Sequence, residues 1–520
     1  MVKKEGKMPN NLEPVNPHDL SLAEKVGQLF MPAAFINDSE EEITRLEQLI
    51  KKRSIGSICF FHSRASAATN FEGKKEVITN EKSYERLLYL INRYQKAAKI
   101  PLLIAIDAEW GLAMRIENTN QYPYAITLGA MQEQEELVFK VGQAIAEDCL
   151  NAGIHWNLAP VVDINLNPLN PVIGYRSFGD KKEKVTAYAD AFLEGMTSVG
   201  ILNSIKHFPG HGDTATDSHL GLPIIEKDKA TLLEEELYPY LKLMHKADAI
   251  MVGHLAVPAL ANGKKEAASI SKNIMTSFLR QELGWEGLII SDALNMHALT
   301  KDHPGDGAIE TLAFVGGNDV LCFADHVDDG IEKILEQATE SRINESFNRF
   351  WDLKQKSFVA KGKTKDTSQG YKVLMHQIAQ ESLTLLQGST ANIAAFREGG
   401  YQFLQIGKPD GAFREALDHN QPTNDATLLS IVPRQVKPKN HFGFTREELA
   451  TIKEVLSQHP TIIYLFGNPF VLNLLPWSKA VAVVVVYQDF EVFQKNAVAH
   501  FNGIQAAKGK LPIQLQNHGG

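Results

Sequence analysis

Eight short apolar runs, bounded by turn residues, set the architecture of the first two thirds of the chain. They are Leu29–Ala34, Ile55–Phe61, Leu102–Asp107, Ile154–Pro160, Ile201–His207, Ala249–His254, Leu288–Asp292 and Asp319–Phe323. Continuous apolar runs of this length suit strands buried on both faces, as in a parallel sheet. Amphipathic stretches separate them, among them Glu136–Asn151, Lys184–Val199, Lys229–His245 and Lys272–Leu283. A strand–helix rhythm repeated eight times predicts an α/β fold of the (β/α)8 TIM-barrel type. An open doubly wound sheet is the alternative, but no GxGxxG follows the first run.

Arg342–Leu353 reads as the last helix of this unit, and KGKTKDTSQG (361–370) is polar enough for a linker. Beyond it the apolar runs Tyr401–Ile406, Leu428–Val432, Ile462–Phe466 and Val481–Tyr487 alternate with helical segments, notably Arg446–Gln458. That pattern predicts a smaller α/β sandwich domain. The expected division is an N-terminal extension (1–20), a TIM-barrel domain (21–360), a linker (361–372) and the sandwich (373–520).

Composition narrows the function. The chain has 520 residues with 53 basic and 62 acidic side chains, a net charge of −9 that weighs against nucleic acid or an anionic membrane as partner. The longest apolar run, Ala480–Tyr487, is far short of the ~20 residues of a membrane span. Cys59, Cys149 and Cys322 lie far apart in apolar settings, and their odd number argues against a disulfide framework. The start, MVKKEGKMPNNLEP, lacks the apolar segment of a signal peptide. A cytoplasmic location is expected as written, or a periplasmic or secreted one if a leader has been removed. What remains is a neutral or small ligand, with no cofactor called for and the oligomeric state left open.

The densest chemistry lies in Lys206–His219, KHFPGHGDTATDSH, which holds three histidines, two aspartates and a lysine. His207 and His211 have the i, i+4 spacing of zinc-binding helices, but Pro209, Gly210 and Gly212 oppose a helix and no further ligand set stands nearby. A catalytic loop at a barrel mouth is the better reading, with no metal. Asp217 and His219 are close enough to pair, and a carboxylate on an imidazole suits general acid/base work.

Asp292 ends a buried apolar run, where a carboxylate needs a partner or a job. It suits either a cap for a helix at Ala293–Thr300 or a nucleophile. Asp107, Arg115 and Arg176 fit either the binding of vicinal hydroxyls or the bracing of neighbouring charges. Asp163 stands just past the fourth run. His254 reads as a supporting core histidine, and Trp110, beside Asp107, as an aromatic worth watching at the mouth.

KHFPGHGDTATDSH (206–219), NPVIGYRSFG (170–179), IDAEWGLAMR (106–115) and GLIISDALNM (287–296), in this relation, resemble family 3 glycoside hydrolases of the β-N-acetylglucosaminidase subgroup. The likeness covers about residues 20–350, and more weakly ESLTLLQ (381–387) and GKLPIQL (509–515). It implies a retaining mechanism with Asp292 as nucleophile, His219 as acid/base and Asp217 as its partner. It also implies that Asp107, Arg115, Arg176, Lys206 and His207 hold the hydroxyls of the terminal sugar. The substrate implied is a small carbohydrate, terminal β-linked N-acetylglucosamine on peptidoglycan fragments or chitooligosaccharides. Two departures from the commoner pattern stand out: Glu109-Trp110-Gly111 in place of Glu-Gly-Gly, and Tyr175 before Arg176. The rivals are a phosphorylase on the same fold, a β-glucosidase or β-xylosidase, and a non-catalytic sugar-binding scaffold.

Overall fold

A computed structural model describes residues 15–62, 80–214, 221–296, 299, 303, 305–359, 368–409, 411–417 and 425–516. All eight expected runs contribute strands. Pro32, which has no N–H for a ladder, divides the first run into β1 (Phe30–Met31) and β2 (Ala33–Phe35). The others are β3 (Ser57–Phe61), β4 (Leu103–Ile106), β5 (Trp156–Asn157), β6 (Leu202–Phe208), β7 (Ala249–Val252), β8 (Leu288–Ser291) and β9 (Leu321–Cys322). Strands β2 to β8 pair in parallel in chain order. The ring closes because Val320 bridges Ile290 of β8 while β9 pairs with β1. The result is a TIM barrel.

The outer helices follow from local rules. Leu22–Gln28 and Glu40–Arg53 each begin with a capping box, Ser21 with Glu24 and Ser39 with Glu42, which satisfies free N–H groups at the first turn. Glu135–Asn151 and Lys182–Ser198 lie close together through paired glycines. A Cβ on Gly142 would stand 2.2 Å from the Phe192 carbonyl oxygen, and one on Gly195 2.1 Å from that of Phe139. Three expectations need correction. The helix over Lys229–His245 is broken into Lys229–Glu234, Tyr238–Leu243 and the 3-10 turn Met244–Lys246, because Pro239 has no N–H to continue the ladder. The helix over Lys272–Leu283 forms as Asn273–Glu282 with π-type bonding. Residues 293–296 are not helical, so that among the described residues of the helix expected over Ala293–Thr300 Leu299 is the helical one.

The second unit is a five-stranded sheet in the order β10 (Thr384–Gln387), β14 (Ala482–Val485), β13 (Thr461–Leu465), β12 (Thr427–Val432), β11 (Gln402–Gly407), in which only β10 runs antiparallel to its neighbour. Helix Ser368–Ser382 takes up part of the stretch read as linker, whose residues 361–367 lie outside the described ones. The two-residue period sorts the strands' side chains. Leu429, Ile431, Ile463, Leu465, Val483 and Val485 share one apolar core with helix Arg446–Gln458 and, across the domain boundary, with Ile126, Ala130 and Tyr175 of the barrel. Gln488 donates to Thr127 Oγ1 at 2.8 Å, and the Lys510 N–H to the Ala130 carbonyl at 2.8 Å. The sheet is thereby seated against the barrel beside Tyr175. Among the described residues no helix is long and apolar enough to cross a membrane.

At the opposite end of the barrel from the β8 terminus, fully buried Asp319 gathers three cations. Arg280, Arg342 (3.3 Å) and Arg349 (3.2 Å) reach its carboxylate, which also accepts from Ser346 Oγ and from the Ile289 N–H at 2.9 Å. This cluster ties β8 to the helix Glu340–Val359. Removing the anion would leave three guanidinium groups around an emptied buried site. Asp319→Ala is therefore expected to cost about 3–5 kcal/mol of stability, read as a lowered midpoint of chemical denaturation.

Candidate active site

The C-terminal ends of the barrel strands carry the polar groups, and they converge on a cavity of about 350 Å³. Asp107 follows β4 directly. Its Oδ1 accepts from Lys206 Nζ at 2.8 Å and its Oδ2 from Arg115 Nη2 at 2.9 Å. Lys206 also reaches Glu109 Oε1 at 2.8 Å, and Glu109 takes Arg176 in a two-point bond of 2.7 and 2.9 Å. The Arg115 guanidinium carbon stands over the Phe61 ring, 3.6 Å from its centroid. Lys206 and His207 both line the cavity although consecutive residues of a strand alternate. The register of β6 against β7 shifts between Ile205 and Phe208, which breaks the alternation there.

The chain of contacts continues through His207. Its Nδ1 stands 2.7 Å from Asp163 Oδ2, and its Nε2 is 3.2 Å from Arg176 Nη2. Arginine only donates, so Nε2 accepts and the Nδ1 proton goes to Asp163. Asp163 further accepts the backbone N–H of His207 and, at 2.7 Å, of His211. That disposes of the zinc reading: both nitrogens of His207 are engaged, one of them by a guanidinium that would repel a cation. Among the described residues the metal-type cluster that does occur, Asp306, His326 and Asp329, is exposed and away from this cavity.

Charge is stabilised throughout. Burial alone would raise the carboxyls of Asp107 and Glu109, but Lys206 and Arg115 for the first, and Arg176 and Lys206 for the second, hold both below the usual range. Burial would likewise strip Lys206 of its proton, and Asp107 and Glu109 reverse this. The network stays ionised.

Asp292 stands one residue beyond β8, its N–H bonded to the Val252 carbonyl at 3.0 Å. Among the described residues only the Ala293 N–H, at 2.7 Å, hydrogen-bonds its carboxylate. Burial pushes its carboxyl up, yet His254, His207, that N–H and Lys206 outweigh it and hold the group at about 2. The cap reading fails, since no helix begins at 293 among the described residues. His254 does not line the cavity. A carbonyl can only accept, so its Nε2–H donates to the Ala293 carbonyl at 2.8 Å, with Ser269 Oγ at 2.6 Å from Nδ1. It thus braces the residue next to Asp292.

Sequence reasoning left Glu109, Asp163 and His211 without their roles. Glu109 is only two residues beyond Asp107, past the strand end where alternation no longer says which way a side chain points. His211 lines the cavity; Thr214 Oγ1 lies 2.8 Å from its Nδ1, and its buried Nε2 has no hydrogen-bond partner among the described residues. Asp217 and His219 lie outside the described residues. The chain leading to them is fastened, because Asn170 Nδ2 donates to the His211 carbonyl at 2.8 Å and Lys227 pairs with Asp213 at 2.8 Å. Gly210, at φ +117°, makes the turn there, where a Cβ would meet Glu236 Cβ at 2.6 Å.

Residues 21–353 match the model described as "Glycosyl hydrolase family 3 N terminal domain". A "Beta-hexosaminidase A" of Pseudoalteromonas piscicida is 34% identical over 288 residues, 51% of this chain and 46% of that protein, so the match spans about half the length of that relative. A family 3 β-N-acetylglucosaminidase from a Paenibacillus species superposes with a TM-score of 0.75 at 24% identity, covering 95% of this chain and 99% of the other. A β-glucoside phosphorylase superposes with a TM-score of 0.80 at 21% identity, over 96% of this chain and 95% of the other. Both of these superpositions speak to the fold.

The His211 environment generates a pH signature. Burial, then the nearby His207, hold its imidazole down to about 4, against partial support from Asp163. Unfolded, the side chain takes its proton near pH 6.5, so between these values the unfolded state binds more protons and stability falls as the pH drops. His211→Asn is expected to flatten the slope of unfolding free energy between pH 6.5 and 4 by up to about 1.4 kcal/mol per pH unit, measured by urea titrations across that range.

Proposed function

The chain belongs to glycosyl hydrolase family 3, and from that premise we propose that it is a retaining, exo-acting β-N-acetylglucosaminidase. The observation that carries the reading is Asp292. It is an ionised carboxylate at a strand end, facing a cavity whose other described carboxylates, Asp107 and Glu109, are each already paired with cations. Such a group is poised to attack an anomeric carbon.

In the first step Asp292 bonds to C1 while the glycosidic C–O bond breaks, and His219, oriented by Asp217, gives its proton to the departing oxygen. In the second step neutral His219 takes a proton from water, whose oxygen bonds to C1 and releases the Asp292 carboxylate. A histidine–aspartate dyad here takes the place of the second carboxylate common in glycosidases. The −1 sugar sits against Asp107, which accepts from hydroxyls, and against Arg115, Arg176 and Lys206, which donate to them. His207 has both nitrogens engaged, so it holds Arg176 in place. His211 Nε2 supplies one further polar contact. The β-hexosaminidase name of the Pseudoalteromonas relative supports a terminal hexosaminide, which we assign as N-acetylglucosamine. Peptidoglycan fragments or chitooligosaccharides are the natural sources we assign.

The test compares aryl β-N-acetylglucosaminide with aryl β-glucoside, each with and without phosphate. Preferential N-acetylglucosamine release that phosphate does not divert into a sugar phosphate supports the reading; a glucoside preference or diversion by phosphate overturns it. Asp292→Asn should lower kcat by about 10³-fold or more, and a fluorosugar should be captured as an ester on Asp292 by mass spectrometry. Because Asp292 is held at about 2, kcat/KM should show no acid limb from this group above pH 4.

A further inference from the structure

Beside the Asp319 cluster, at the end of the barrel away from the catalytic cavity, lies a second cavity of about 470 Å³. It is enclosed by the helices Asn273–Glu282, Val327–Gln337 and Glu340–Val359. We propose that this cavity binds a phosphate monoester, whose phosphate is taken by Arg349 and Lys272 above the buried cluster of Arg280, Arg342 and Asp319.

Cations outnumber anions here. Lys272, Arg280, Arg342 and Arg349 line the cavity with Glu345, and beneath them the three arginines share the single carboxylate of Asp319. In a chain of net charge −9, a concave positive site is a local inversion of the surface field. The two inner arginines have their donors committed. Arg280 Nη1 donates to the Trp285 carbonyl at 2.8 Å and to that of Gly287, and its Nη2 to Asp319. Arg342 Nη2 donates to the carbonyls of Asn318 at 2.8 Å and Phe314 at 3.3 Å, with the guanidinium 4.6 Å from the centroid of the Phe314 ring. One carboxylate does not cancel the repulsion among three guanidinium groups. Burial, joined by Arg349 and Arg342, outweighs Asp319 and lowers Arg280 to about 10.

The two outer cations have donors to spare. Arg349 gives Nη1 to Asp319 at 3.2 Å, and among the described residues its Nε and Nη2 meet no acceptor. Lys272 is exposed, and among the described residues its ammonium has no ion-pair partner. The Nε–Nη2 edge of a guanidinium matches two oxygens of one phosphate, and an ammonium serves the third as a point charge. Arg342 and Arg349, seven residues apart, share one face of their helix. The N-terminus of that helix, twenty residues long, opens on the same cavity at Thr339, so its dipole also favours an anion. The volume exceeds what a free phosphate fills and lies within the range of about 300–1,000 Å³ for small-molecule sites. Val315 and Ala338 give the cavity an apolar side, and Gln281 and Gln337 supply amides. A phosphate carried on a sugar or a nucleoside uses both parts.

The test titrates the full chain by calorimetry with ribose 5-phosphate and adenosine 5′-monophosphate. Inorganic phosphate, ribose and adenosine are run beside them. At least one ester should bind saturably and more tightly than inorganic phosphate, with a Kd that rises with added salt, while ribose and adenosine should not bind. That Kd should rise about three- to tenfold in Lys272→Gln and in Arg349→Gln, rise further in Lys272→Glu and stay near the wild-type value in Lys272→Arg. The ester should also raise the wild-type Tm, and do so less in Lys272→Glu. Arg349 touches Asp319, so its variant could lose stability; Lys272 has no such tie and reads the site independently. No binding of either ester at about 10 mM overturns the proposal. So does ester binding that Lys272→Glu leaves unchanged, which would place the ligand elsewhere. Inorganic phosphate bound as tightly as the esters overturns it too, since the rest of the cavity would then recognise nothing.

Discussion

The buried ammonium of Lys206 is the interaction on which the site depends. It is 1% exposed and stands between Asp107 and Glu109, which in turn hold Arg115 and Arg176. Through the contact of Arg176 with His207 and of His207 with Asp163, one chain of polar contacts links the ends of β4 and β6 and the loops after β4 and β5. Buried ion pairs of this kind are weak contributors to net stability, because desolvation of the partners offsets their attraction. Their value lies in fixing donors and acceptors before a ligand arrives, which lowers the reorganisation needed at the reacting centre. Three carboxylates, Asp107, Glu109 and Asp163, stand against three cations, Arg115, Arg176 and Lys206. What is left over is the carboxylate of Asp292.

Much of the barrel was legible because each strand is buried on both faces and therefore reads as an unbroken apolar run. The polar residue that ends a run is also where the strand meets the cavity, so Asp107, Lys206, His207 and Asp292 declared themselves by position. Helices were less secure where a single residue decided the outcome, as with Pro239 inside Lys229–His245. Local pattern cannot say which way a residue points once its strand has ended. Glu109 and Asp163 lie in that blind zone, and the spacing of His207 and His211 invited a metal reading that the contacts of Arg176 and Asp163 exclude. Lys437, which lines the cavity from the second domain, lay furthest from view, on a loop that no periodicity links to the barrel.

The second domain becomes intelligible from the same packing. One face of its sheet is covered by its own helix Arg446–Gln458 and by the barrel residues Ile126, Ala130 and Tyr175. Tyr175 therefore belongs at once to the interdomain core and to the cavity wall. A change in the seating of the sheet would move Tyr175, and with it Trp110 and Tyr124, whose rings touch it. The domain thus acts on the site through shape, independently of any charge it presents.

The same overall fold occurs in a β-glucoside phosphorylase, so the barrel and sandwich together do not determine which molecule resolves a glycosyl-enzyme. On the proposed mechanism, the choice of acceptor lies in the field at the mouth after Asp292 has become an ester. At that stage the remaining network carries no net charge, and a neutral histidine base adds none. Nothing in that inner balance repels an anion, in contrast to a site whose base is a second carboxylate. On that mechanism, water or phosphate is selected by side chains at the cavity mouth, and hydrolysis and phosphorolysis can diverge on one scaffold with the strand-end network left as it is.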